Sequence, residues 1–299
     1  MDPGRGRFVL LAVGAVLLAW GITSAADAWA GGAPGAAAGM ALSGVLALAG
    51  FGWAAARRDW LAARGVDLSN GAHVAALSLV GACAFLIFGL GAIAQTAATA
   101  EALLRGAQPE EVFAVTPRGL LVGLLFSLVT FLLPAVAWAL LVESRDAGGA
   151  AAWLGLRSER LGESLLLGIL ATFAFFWSLF LLGLAFQAFG YRPPPNELAE
   201  AIGRAVDFRL AFVVAAGAAV GEEVFFRGFL LRRLGLWPQA LLFGLAHGAY
   251  LNPLQIVVTT ALGLGLGGLV LRTGNVAGAI LTHFLFNFVM LVVFLQSVA

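Results

Sequence analysis

Apolar runs of about 20 residues recur along this chain and leave few folds open, because each matches the bilayer's hydrocarbon thickness as a helix. A backbone inside lipid must also satisfy its own hydrogen bonds, which a helix does within one segment. Candidate spans fall at 8–29, 35–56, 72–98, 119–142, 161–189, 209–231, 237–251, 253–271 and 275–297, the seventh being short. The pattern predicts an all-α fold, a polytopic transmembrane helical bundle of about 8–9 spans.

Composition agrees. Hydrophobic residues make up 61% of the chain and charged residues 11%, against roughly 45–50% and 25% in soluble domains. The formal net charge of +1 carries no signature of nucleic-acid binding, and none is expected. Cys83 is the one cysteine, so an intrachain disulfide and a cysteine-based zinc cluster are both ruled out, and it reads as an inert core residue. Arg5 and Arg7 before Phe8 to Trp20, with Ala28-Trp29-Ala30 beyond, imitate a signal peptide. The apolar stretch runs on past that length, so a retained first span is expected.

Every basic residue is arginine, and their distribution sets an orientation. With the N-terminus cytoplasmic, inner segments hold Arg5, Arg7, Arg57, Arg58, Arg64, Arg145, Arg157, Arg160, Arg232, Arg233 and Arg272. Outer segments hold Arg105, Arg118, Arg192, Arg204 and Arg209. An excess of 11 over 5 follows the positive-inside rule. The expected localisation is the membrane, as a multi-pass protein of a prokaryotic plasma membrane.

No soluble domain is visible. Pro193-Pro194-Pro195 stiffens an outer loop, after which Leu198 to Val206 can form a short interfacial helix. Gly263, Gly265, Gly267 and Gly268 are expected to give the eighth span a small-residue face, and Ala215 to Gly221 to do the same for the sixth. Pro238 suits the first turn of the seventh span, Asn252-Pro253 reads as cap and first-turn proline of the eighth, and Asn275 as cap of the ninth. The division expected is 1–205, transmembrane helices with no assigned role, and 206–298, a core carrying the chemistry.

That chemistry is concentrated. Glu222, Glu223 and Arg227 sit inside one span, where an ionised group costs about 2.5 to 3.5 kcal/mol on insertion scales and usually marks function. His247 and His283 lie in two further spans, and Asn287 follows His283 by one turn. Counting from Arg232, Pro238 and Asn275, Glu222 and the two histidines stand roughly 12–15 Å from the cytoplasmic edge at the helical rise. Glu223 and Arg227, at i,i+4, are expected to form a structural ion pair, leaving Glu222, rotated by about 100°, free to act as base. His247 with Glu222 can hold and deprotonate a water, while His283 and Asn287 can hold a developing oxyanion. The plainer readings are a helix-bracing Glu–Arg pair and a His283–Asn287 staple between helices. His73 reads as a satisfied core residue, and Phe243 and Phe284 as packing.

These residues resemble the motifs of the CPBP family of intramembrane proteases, which includes CAAX prenyl endopeptidases and bacteriocin-processing or immunity proteins. The family's double glutamate with arginine four later is matched by Glu222, Glu223 and Arg227. Phe243 and His247 match the second motif, and His283 with Asn287 the third. Arg272-Thr273-Gly274-Asn275 before Ala279 to His283 is similar to the approach to that last motif, and the likeness covers about 206–298. It implies a CAAX endopeptidase-like membrane enzyme, commonly called a metalloprotease, that hydrolyses peptide bonds of membrane-associated substrates, a prenylated tail among them. The zincin signature is absent. Zinc on Glu222, His247 and His283 and a metal-free glutamate–histidine mechanism are both compatible with the residues. The alternatives are a proton- or ion-coupled transporter and a non-catalytic scaffold or immunity protein.

Overall fold

Each of the nine apolar stretches folds as helix in a computed structural model, which describes residues 2–144 and 146–295. Arg145, counted above on the inner side, and residues 296–298 of the last span and core lie outside the described residues. Among the described residues all regular structure is helical. In chain order the main elements are α1 (Pro3–Ala30), α2 (Pro34–Ala56), α3 (Gly71–Leu104), α4 (Pro117–Glu143), α5 (Leu161–Ala188) and α6 (Glu197–Ala205). Helix α7 runs Phe208–Glu223, continues as π-helix through Val224–Leu230 and ends in the turn Leu231–Leu234. Then come α8 (Leu236–Ala246), α9 (Pro253–Thr273) and α10 (Ala277–Val289).

Six of these, α1 to α5 and α9, are long and apolar enough to cross a membrane, and α10 is a shorter apolar helix. The molecule is a helical membrane bundle. The seventh candidate span needs correcting. Helix α8 has 11 residues, about 16 Å of rise, and ends with His247 at its C-cap before a 3₁₀ turn over Gly248–Tyr250.

Helix starts follow side-chain chemistry. Asn70, Asn196, Asp207 and Asn252 each accept a hydrogen bond from a first-turn backbone N–H. Asn275 also accepts from Ala277 N, at 2.8 Å, but α10 begins at Ala277 with Val276 as its cap, one residue later than an Asn275 cap implies. Helix faces follow lipid. On α5 the large residues Leu170, Phe173, Trp177 and Phe180 point outward, while the small Ser164, Gly168 and Thr172 are buried. Between membrane helices, close backbone approach replaces bulk as the source of packing energy.

The chain divides into two compact units, Met1–Gln108 with Leu133–Trp153, and Pro109–Leu132 with Leu154–Ala299. In the first, α1 and α2 form a tight hairpin, and Ser43 Oγ donates to Gly39 O at 2.7 Å or Gly89 O at 2.8 Å, which joins α2 to α3. Glu101 accepts from Gly35 N at 2.6 Å and pairs with Arg105, clasping the α1–α2 turn to the end of α3. In this unit His73 Nδ1 accepts from Asp67 N at 3.0 Å, so His73 is a half-buried local brace rather than a core residue.

The second unit holds every motif residue. Helices α5 and α10 cross backbone to backbone: a β-carbon at Gly168 would stand 2.5 Å from Gly278 O, and one at Gly278 would overlap Ser164 O. Ser164 Oγ accepts from Gly278 N, and Thr282 Oγ1 donates to Gly168 O or to Gly278 O. The α9 glycines do not form one face. Gly263 lies against Ala240 of α8 and Gly267 against Leu236 and Gln239, whereas Gly265 meets Phe175 of α5 and Gly268 meets nothing within 4 Å. Gln239 reinforces the α8–α9 contact by donating to Gly263 O at 3.0 Å. On α7, Gly217 and Gly221 admit Leu124 and Leu128.

Candidate active site

Helix α7 carries its acidic pair to the junction where α-helix gives way to π-helix, a backbone irregularity often found at functional sites. Glu223 and Arg227 are both fully buried there, and Arg227 Nη1 donates to Glu223 Oε1 at 2.6 Å. The same oxygen accepts from His283 Nδ1 at 2.7 Å. A single carboxylate oxygen thus joins α7 to α10, with His283 2% exposed. Helical spacing pairs His283 with Asn287 and Glu223 with Arg227; the Glu223–His283 bond depends instead on how α10 is rotated in the bundle.

The second motif reaches the cluster through aromatic rings. Phe243 of α8 is fully buried, and the Arg227 guanidinium carbon lies 4.1 Å from its ring centroid. Cation–π attraction is strongest where water is excluded. The same ring meets His283 edge-on at 5.9 Å and His247 at 5.0 Å between centroids. Phe226 packs edge-on against Phe243 as well. Phe243 is therefore the packing hub that keeps the three motifs in one neighbourhood, and Phe284 packs elsewhere, against Phe212 and Phe288.

His247 Nδ1 lies 2.8 Å from Phe243 O. A carbonyl can only accept, so Nδ1 carries a proton, and in the neutral tautomer this leaves the lone pair on Nε2. At His283 the Nδ1–H donates to a carboxylate, which likewise frees Nε2. Neutral, that atom accepts; protonated, it donates, with Glu223 balancing the charge.

Glu222 stands apart from the bonded trio. It is less buried than Glu223, yet its Oε2 is out of solvent contact with no hydrogen-bond partner among the described residues. Its charge acts on both Arg227 and Tyr250. Glu223 Oε2 and Arg227 Nε and Nη2 are also buried without partners. Native interiors rarely leave such atoms unpaired, and a bound water would satisfy those of Glu223 and Arg227. Asn287 is half-buried one turn beyond His283, and its amide makes no hydrogen bond among the described residues.

The metal question turns on donor geometry. Among the described residues no group of three or more His, Cys, Asp and Glu side chains is gathered as a metal ion needs. Glu222, His247 and His283 share a neighbourhood without forming such a cage.

The geometry defines a class: a helical membrane protein with a buried acid–histidine site. The family model for Type II CAAX prenyl endopeptidase Rce1-like matches residues 205–289, which take in all three motifs. That match agrees with the resemblance read from the motifs. A second similarity is to the uncharacterized protein YpbD of Bacillus subtilis (strain 168), 36% identical over 70 residues. It covers 23% of this chain and 37% of that protein, so just over a third of that relative's length is matched. No solved structure matches the chain. The apolar helices make the chain an integral membrane protein, and its similarity to the Rce1-like family is confined to residues 205–289.

Proposed function

We propose that this chain is an intramembrane endopeptidase that hydrolyses peptide bonds of membrane-associated substrates at the Glu222–His247–His283 neighbourhood. The observation that carries the reading is the Glu223–His283 bond beside a buried, unpartnered Glu222 Oε2. It ties the first motif to the third and leaves one carboxylate oxygen free for a substrate or water. A plain helix brace would need the bonded trio but not Glu222.

In this mechanism Glu222 and His247 Nε2 hold a water, and Glu222 takes its proton as the oxygen attacks the scissile carbonyl carbon. The C=O bond opens to an oxyanion, held by protonated His283 Nε2–H and the Asn287 amide. Collapse breaks the C–N bond, and the proton taken up by Glu222 passes to the departing amine. Arg227 touches no substrate; it holds Glu223, which holds His283. The stretch 206–298 carries the chemistry, and the arginine distribution supports an N-terminus on the cytoplasmic side. The substrate class is a membrane-anchored peptide or protein tail, for which lipid-facing helices give lateral access.

The test is a cleavage assay of purified protein in detergent with a membrane-anchored peptide library, products read by mass spectrometry, with and without a zinc chelator. Internal cleavage that leaves a new carboxyl terminus, undiminished by chelator, is the expected result. Loss of cleavage on chelation would replace the metal-free steps above. No cleavage, with proton-coupled uptake in proteoliposomes, would put a transporter in the protease's place.

A further inference from the structure

Tyr250 is one of two tyrosines in the chain and has no part in the three motifs. It closes the 3₁₀ turn Gly248–Tyr250, whose first bond runs from Tyr250 N to His247 O at 3.2 Å. That short turn folds its ring back onto His247, stacked at 26° with centroids 5.9 Å apart. Phe243 meets the same imidazole edge-on at 67°, and Phe243 O takes its Nδ1–H. Two aromatic rings and one hydrogen bond thereby hold His247.

The turn is held in place at its far end. Leu251 adopts a left-handed conformation (φ 50°), which residues bearing a β-carbon seldom take and which tends to persist at functional sites. Asn252, buried, then caps α9 through Leu254 N and Gln255 N. The left-handed residue ends the turn directly after Tyr250, and α9 starts two residues further on. Tyr250 also lies within electrostatic reach of Glu222.

We propose that Tyr250 is a positioning residue whose ring fixes the plane of the His247 imidazole and so presents its Nε2 to the water that Glu222 deprotonates. The part played by that water rests on the endopeptidase reading; the fixing of the ring does not. Flat aromatic contact supplies the constraint, so phenylalanine serves as well as tyrosine and an aliphatic side chain does not.

The experiment uses the full-length protein in nanodiscs as wild type, Tyr250→Phe and Tyr250→Leu. Carbethoxylation of His73, His247 and His283 is followed by mass spectrometry, and cleavage of the peptide library is followed in parallel. The expected result is His247 modification that rises several-fold in Tyr250→Leu, stays at the wild-type rate in Tyr250→Phe, and is unchanged at His73 throughout. Turnover should fall by about 10²-fold in Tyr250→Leu, the scale of a small misplacement of a catalytic group, with KM little altered and Phe restoring it. An unchanged His247 rate in Tyr250→Leu, or a rise in Tyr250→Phe equal to that in Tyr250→Leu, overturns the proposal. If Tyr250→Leu fails to fold, the Tyr250→Phe arm decides, since loss of His247 protection there is equally fatal. The expected labelling pattern in a protein that cleaves nothing would leave the positioning intact and remove the endopeptidase reading.

Discussion

Glu223 Oε1 is where the charges of this molecule meet, and its two partners are both buried. Removing either end of such a pair strands an ion out of water, at about 3–5 kcal/mol. Arg227→Ala should therefore lower the yield of monodisperse protein in detergent, measured by size exclusion; full stability with lost activity would mean that Arg227 meets substrate. Glu223→Gln should cut both stability and turnover, because it weakens the grip on Arg227 and on His283 at once. Asn287→Ala should retain the fold and slow turnover by about 10²–10³, the usual effect of losing one oxyanion donor. The Glu223–Arg227 contact was legible in the spacing, since i,i+4 on a helix is local. The Glu223–His283 contact was not, because it joins residues 60 apart through the rotation of α10, which no local pattern encodes.

At the scale of elements, glycine placement decides which helices approach closely enough to build the site. Gly278 admits the Ser164 carbonyl, whereas Gly268 faces open space. Gly278→Leu should lower the melting temperature in detergent, by overpacking worth about 1–3 kcal/mol or more, and should uncouple His283 from Glu223. Gly268→Ala should leave the melting temperature within error, and equal losses in the two variants would contradict this packing. In sequence, Gly263, Gly265, Gly267 and Gly268 look like one small-residue face, yet they split between α8, α5 and open space. A helix turns 100° per residue, and the partner on each side is a tertiary fact. The end of α8 was more legible than the reading took it to be. Gly248 directly after His247 is a residue type that often follows a helix end, though here it enters a 3₁₀ turn instead of a left-handed cap, and the apolar run through Leu251 masked the break.

For the whole molecule, the bundle itself was plain from the apolar runs, since lipid leaves the backbone almost no other choice. The stretch 206–298 marks the motif-bearing sequence, and the compact unit that contains it also takes in 109–132 and 154–205. Those helices supply Ser164, Gly168 and Leu128, contacts that a motif search passes over. The proposed orientation rests on arginine counts, and single cysteines on a Cys83→Ala background test it. Arg192→Cys should react with an impermeant maleimide on intact cells and Arg64→Cys only after permeabilisation; the reverse pattern would invert the topology. The central claim is that Glu222 is the base of a peptide hydrolysis, and a paired assay of wild type and Glu222→Gln on one membrane-anchored peptide tests it most directly. Glutamine keeps the size of glutamate but cannot take a proton near neutral pH. The account predicts cleavage by the wild type and none detectable from a folded Glu222→Gln protein, and cleavage at the wild-type rate by that variant would contradict it.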